Sequence, residues 1–289
     1  MINNIPPRIQ HYIELTRLDR PIGTLLLLWP TLSALWIAAE GWPGWHLLLV
    51  FTLGTLLTRS AGCVVNDLSD RQFDGMVKRT QERALVTGKV DPLEAIFVAG
   101  GIAFLALLLV LTTNLYTVVL SFFAVLIAVA YPFMKRYTYL PQAILGIAFS
   151  WGILMAFTAV NDEIANVAWL LLTANLLWVV AYDTQYAMVD RDDDLKLGIK
   201  STAILFADLD RQMLAILQAS FIFTMLLIPQ SVDLSIWYYL GLCIAAGLLV
   251  YQQYLTWDRS REGCFDAFLN NHWVGAAVFF GIFLHYLFQ

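Results

Sequence analysis

The chain has 289 residues, 60% of them hydrophobic and only 13% charged, with a formal net charge of −5 and a mean hydropathy of +0.69. A soluble domain of this size needs roughly a quarter charged residues to cover its surface, so a soluble globular fold is excluded. The acidic balance speaks against nucleic acid as a partner.

Met1–Asp19 has neither the basic-then-apolar pattern nor the small-residue cleavage site of a signal peptide, so the first span is expected to be retained. Apolar windows between charge clusters then predict nine membrane helices, at 22–39, 46–66, 93–112, 115–132, 140–160, 165–189, 212–228, 236–256 and 272–288. The expected class is all-α and polytopic, a single domain over 1–289 lying in a lipid bilayer. No low-complexity segment or linker interrupts it.

The Lys and Arg residues check the count. Of 17, sixteen fall before the first span or in the stretches after even-numbered spans: Arg8, Arg17 and Arg20, then Arg71, Lys78, Arg79, Arg83 and Lys89, then Lys135 and Arg136, then Arg191, Lys196, Lys200 and Arg211, then Arg259 and Arg261. The opposing loops hold none, which by the positive-inside rule makes the basic face cytoplasmic and puts the N-terminus inside. The other face is aromatic, with Trp36, Trp42, Trp45, Trp169, Trp237, Tyr238 and Tyr239 expected as interfacial anchors. Cys63, Cys243 and Cys264 have no paired spacing and read as packing residues.

Two long polar stretches, 66–92 and 183–211, lie on the basic face, each after an even-numbered span and four spans apart. The first opens with Asn66, Asp67, Asp70 and Asp74, which share one stripe if the helix continues. The second holds Asp190 and Asp194 on one face, with Asp192 and Asp193 between them and Asp183 one heptad earlier. Stacked carboxylates repel, and an Asp within the bilayer costs about 2.5–3.5 kcal/mol on insertion scales. Folding does not ask for such an arrangement, whereas hard cations do, because Mg²⁺ takes oxygen ligands and is typically shared between carboxylates and substrate phosphates. Asp192 and Asp193 fit a solvated loop or pairing with nearby Arg better than a ligand role.

Lys78, Arg79, Arg83, Lys135, Arg136 and Lys200 share this face and suit phosphate oxygens, or serve simply as headgroup-level charges. Arg59 differs, being the one basic residue inside a predicted span, seven residues before Asn66 and so on its helical face. Its partner is either an Asp of the cluster or an acidic substrate held deeper than the metals.

These residues resemble a known family. Asn66-Asp67-x-x-Asp70-x-x-x-Asp74 followed by Arg79-Thr80 and Arg83, and then Asp190-x-x-x-Asp194, are similar to the two signatures of the UbiA family of intramembrane prenyltransferases. The stretches 61–67, 131–137, 182–194 and 200–205 are similar to its bacterial branch that prenylates 4-hydroxybenzoate in ubiquinone synthesis. One departure is Ala84, where the family usually carries proline.

The resemblance implies nine helices around a cavity open to the cytoplasmic side of the bacterial inner membrane. It also implies Mg²⁺ held by Asn66, Asp67, Asp70, Asp74, Asp190 and Asp194, and a polyprenyl diphosphate whose tail runs into lipid. Asp70, Asp74, Asp190 and Asp194 become the catalytic set, and Lys78, Arg79, Arg83, Lys135, Arg136, Asp183 and Lys200 surround the substrates. Ionisation of the diphosphate leaves an allylic cation among aromatic faces, with Tyr131, Phe133 and Tyr182 as candidates. The ring carbon beside the phenol oxygen attacks it, and Arg59, or else Arg136, takes the benzoate carboxylate.

The same donor site serves other acceptors, such as a naphthoate or haem, and only Arg59 and the branch-like stretches favour hydroxybenzoate. An ion-coupled transporter would place its acids at the midplane of inverted repeats, whereas here they gather at one face in an apparent parallel repeat. No protein partner is implied.

Overall fold

A computed structural model describes residues 6–289, and the part of the leader reading that rests on 1–5 lies outside it. The described residues are helical throughout, with no strand: α1 (Pro7–Leu15), α2 (Ile22–Ala38), α3 (Gly44–Asp74), α4 (Pro92–Val110), α5 (Leu115–Met134), α6 (Pro141–Asn161), α7 (Asn166–Leu197), α8 (Thr202–Phe206), α9 (Asp210–Leu227), α10 (Ile236–Leu255) and α11 (Arg261–Leu287). In a bilayer every backbone polar group has to be satisfied within the chain, which leaves helices as the spanning element here.

Local sequence sets the ends. Asp91 accepts a hydrogen bond from Leu93 N ahead of α4, Asn114 from Thr117 N ahead of α5, and Ser260 from Gly263 N ahead of α11. Proline takes the first helical position of α1, α4 and α6, where its missing N–H removes nothing. Gly198, at φ +68°, closes α7 in the left-handed conformation that a side chain resists.

Each of the nine predicted windows falls on a helix. Eight helical stretches among the described residues are long and apolar enough to cross a membrane, and α2, at 17 residues, is slightly shorter. The boundaries differ from expectation in three places. Helix α3 runs to Asp74 and α7 to Leu197, each about two turns past the predicted end, and α11 starts at Arg261 rather than 272. All three extensions expose charge on one side, and those of α3 and α11 bury a stripe on the other. Two short helices, α1 and α8, at nine and five residues, are too short to have read as spans.

The core lies where α2, α6, α7 and α11 meet, around Ala34, Leu35, Ile153, Leu154, Ala156, Val179, Val274 and Ile282. Helices α10 and α11 approach closely at Gly241 and Gly281, where an added Cβ would strike the facing backbone. Helices α4 and α5 instead turn Phe97, Phe104, Leu115, Phe122 and Leu126 outward, apolar surface that suits lipid.

Contacts define two ends. The basic loops meet one another: Lys200 N donates to Lys135 O, Arg136 to Ser69 O and Arg259 to Asp210. The opposite end is held by Asn161 to Ala38 O and His46 with Thr112. Trp42 and Trp45 stand exposed there, as expected of anchors, but Trp36 is buried against Phe279, and Tyr238 is buried with its hydroxyl on Met225 O. Their apolar bodies were needed inside the bundle. Among the cysteines Cys63 and Cys264 pack inside and all three are free, whereas Cys243 is exposed on α10.

Candidate active site

The two longest helices, α3 and α7, end together at the basic end of the bundle, each with acids in its last turns. On α3, Asp67, Asp70 and Asp74 are buried while Arg71 and Gln72 between them are exposed, so the predicted stripe faces inward. On α7, Asp190 is buried and Asp194 half-buried.

Bases from other segments meet this stripe. Arg83 Nη1 stands 2.6 Å from Asp74 Oδ2 and 2.9 Å from Asp67 Oδ1. Arg17 donates through Nη2 to both oxygens of Asp67, at 3.0 and 2.8 Å. Lys135 Nζ lies 2.6 Å from Asp70 Oδ2. Arg79 reaches across to α7 and holds Asp190 through Nε and Nη2, with its guanidinium 4.6 Å above the Tyr186 ring. Burial disfavours the charge of Arg83, yet the facing Asp67 and Asp74 hold its pKa above the ordinary arginine value, so it stays cationic.

Other predicted residues are placed around this centre. Arg136 donates to Ser69 O at 2.8 Å between the rings of Phe73 and Phe133, both 5.4 Å away. Phe133 thus stacks on Arg136 and is not gathered with Tyr131 and Tyr182. Lys200 Nζ caps Tyr137 O at 3.1 Å, and Lys78 is exposed. Asn66 is half-buried on the stripe. Asp192 and Asp193 pair with Arg261, in line with their expected role outside the centre. Ala84 is buried in a small apolar cluster with Leu85 and Val90.

Deeper along α3, Arg59 and Cys63 are in contact through Nη1 and Sγ, while Arg59 Nε is buried without a hydrogen-bond partner. Asp183, Tyr131 and Tyr182 surround it within electrostatic reach, and Gln142 hydrogen-bonds Asp183. The Tyr182 hydroxyl is also buried and unpartnered. This is a second, less acidic compartment one to two turns below the carboxylates.

Sequence reasoning missed Arg17 and Gln142. Arg17 carried no signal beyond its side of the membrane, since its partner lies 50 residues on. Gln142 did carry one, being a polar side chain at the start of an apolar span.

The carboxylates suit a hard divalent cation in chemistry. They are all oxygen donors, and Asp70 Oδ1 is buried with no hydrogen-bond partner. Among the described residues, however, no three acidic, His or Cys side chains converge on one point, and Asp67, Asp70, Asp74 and Asp190 are each closed on a base.

Known proteins share this arrangement of helices. The model of the UbiA prenyltransferase family matches residues 27–283. Curated relatives include a 4-hydroxybenzoate octaprenyltransferase of Pseudomonas fluorescens, 54% identical and covering 99% of this chain and 96% of its own length. Another, from Aeromonas salmonicida, is 56% identical over 96% of both. Among solved structures, the apo UbiA homologue from Aeropyrum pernix K1 superposes with a TM-score of 0.77 at 22% identity, over 88% of this chain and 96% of that one. The UbiA homologue from Archaeoglobus fulgidus bound to GPP and Mg²⁺ gives 0.73 at 16% identity, over 96% and 100%. A family match over nearly the whole chain, with relatives more than half identical end to end, places this multi-pass membrane protein in the UbiA prenyltransferase family.

Proposed function

We propose that this chain transfers a polyprenyl group from an all-trans polyprenyl diphosphate to the ring carbon ortho to the hydroxyl of 4-hydroxybenzoate, releasing diphosphate, as a step of ubiquinone synthesis. The observation that carries the reading is the pairing of two acidic helix ends through bases that match a diphosphate, with a lone intramembrane arginine below them. Relatives named for this acceptor at 54–56% identity support the choice among acceptors.

In this reading Asp70, Asp74, Asp190 and Asp194, with Asn66 and Asp67, hold Mg²⁺, the ion with which the Archaeoglobus homologue of the same fold was solved alongside GPP. The metal supplies positive charge for the departing diphosphate. Arg79, Arg83 and Lys135, now on carboxylates, turn to phosphate oxygens, with Lys78, Arg136 and Lys200 at the rim. The C–O bond ionises, Tyr131 and Tyr182 face the allylic cation, and the ring carbon forms the new C–C bond as the ring proton passes to a carboxylate of one of the two acid stripes. Arg59 takes the acceptor carboxylate, beside Asp183. The whole chain, 1–289, acts as one catalytic domain. The one-sided basic loops support nine spans in the bacterial inner membrane with the site on its cytoplasmic face.

Isolated membranes expressing the chain, given radiolabelled 4-hydroxybenzoate and a polyprenyl diphosphate with Mg²⁺ or EDTA, test this. Metal-dependent transfer of label into lipid extract is expected. Hydroxybenzoate label that stays aqueous with folded protein present, while a labelled naphthoate or haem acceptor is prenylated in its place, would reject the hydroxybenzoate assignment.

A further inference from the structure

Gly23 lies in the first turn of α2, with a helical backbone and a φ outside the left-handed range. Nothing in its conformation calls for glycine, and alanine would favour the helix by about 1 kcal/mol. What distinguishes the position is its neighbour across the helix interface. A Cβ added at Gly23 would collide with the Arg59 guanidinium, nearer to Nε and Nη2 than to Cζ, itself only 2.8 Å away.

That ordering fixes which side of the guanidinium faces α2. An atom above the guanidinium plane would sit at least as close to Cζ as to the two nitrogens. An atom nearer to both nitrogens lies off the Nε–Nη2 edge, the fork that matches a carboxylate in two parallel hydrogen bonds. The third nitrogen, Nη1, is turned to Cys63, and Nε on the fork is buried without a partner. Among the described residues, the fork of the one Lys or Arg side chain placed mid-span is therefore stored against bare backbone and spent on no carboxylate.

We propose that Gly23 is a specificity-determining position for the acceptor: its missing side chain gives the Arg59 fork a place to rest and a free path to an anionic group on the aromatic substrate. A methyl there drives the guanidinium off this edge and away from the acceptor carboxylate, while leaving the diphosphate site at the helix ends untouched. The proposal rests on the reading of Arg59 as the carboxylate-binding residue. Gly23 itself touches no substrate and acts through Arg59.

The test is kinetic, with KM measured separately for 4-hydroxybenzoate and for the prenyl diphosphate. It uses Gly23→Ala, Arg59→Ala, the double variant, and Gly54→Ala as a control where an added Cβ meets nothing within 4 Å. Thermal unfolding in detergent confirms that each variant folds. Gly23→Ala should raise the KM for the acid about tenfold or more, the scale of a charged hydrogen-bonded pair, with the donor KM within about twofold. In the Arg59→Ala background the same substitution should add nothing, and Gly54→Ala should match the parent. If Gly23→Ala leaves the acid KM unchanged while Arg59→Ala raises it, the gate is overturned and the Arg59 reading stands. An equal effect of Gly23→Ala in both backgrounds would also overturn it, since the methyl would then act without Arg59. Should Arg59→Ala itself leave the acid KM unchanged, the acceptor reading fails first and takes the gate with it.

Discussion

Asp70 offers its two oxygens to different surroundings, one to Lys135 at 2.6 Å and one to nothing. Asp190 has both oxygens taken by Arg79. In the proposed reaction, removing either carboxylate costs a ligand and frees a base at once, so Asp70→Ala and Asp190→Ala should each lower turnover by at least about a hundredfold while the protein still inserts. Single-turnover assays on matched amounts of folded protein measure this, and near-parental rates would remove that residue from the catalytic set. Arg59→Ala should instead act on the acid, raising its KM about ten- to a hundredfold with turnover at saturation less affected. Asp210 makes a contrast. It is fully buried between Arg191 and Arg259, outside the centre, and no spacing in the sequence announced it. Asp210→Ala should cost about 2–3 kcal/mol of stability, less than for a fully buried pair because Arg259 keeps 38% exposure. A lowered melting temperature with unchanged KM values is the expected result.

Helix α7 carries acids at one end and an amide network at its middle. Gln185 and Gln218 both donate to Gln252 Oε1 at 3.0 Å, Gln252 donates to Asn270, and Asn271 donates to Gln185 while accepting from Trp178. These bonds tie α7 to α9, α10 and α11 in a medium without water to replace them. Gln252→Leu strips three partners and should destabilise the protein by about 1–3 kcal/mol, at about 0.6 kcal/mol for a typical interhelical bond and more where a group is left unpaired. Thermal unfolding in detergent reads it. Such networks also show what the sequence conveyed. The existence and order of the apolar helices were legible because lipid demands long hydrophobic runs. The extensions to Asp74 and Leu197 were not, because charged residues read as the end of a span although the same residues, spaced three and four apart, continue the helix. The start of α11 was hidden likewise, since Asn271 and Cys264 are buried on a stretch that looks polar. The acid stripes were visible in their spacing, but the partners were not. Arg79 and Asp190 are 111 residues apart, and nothing local links them.

At the scale of the molecule, the two ends differ in chemistry: ion pairs of acids and bases at one, exposed tryptophans at the other. The positive-inside rule gives this asymmetry a direction. Glu82, in the α3–α4 loop, and Glu163, between α6 and α7, are both exposed and lie at opposite ends. A membrane-impermeant thiol reagent applied to spheroplasts should therefore label Glu163→Cys directly and Glu82→Cys only after lysis. The reverse pattern would invert the orientation and with it the side from which substrates enter.

The closure of Asp67, Asp70, Asp74 and Asp190 on bases means that the protein carries its own counter-ions. In the proposed reaction an arriving diphosphate finds Arg79, Arg83 and Lys135 already on carboxylates and competes with those anions for them, winning when a metal occupies the carboxylates. Loading becomes an exchange in which net charge next to the lipid hardly changes. Inorganic diphosphate should accordingly bind weakly in EDTA and much more tightly with Mg²⁺, a difference that calorimetry on the detergent-solubilised protein would read. In that reaction the same ion pairs close again after release and refill the site from within.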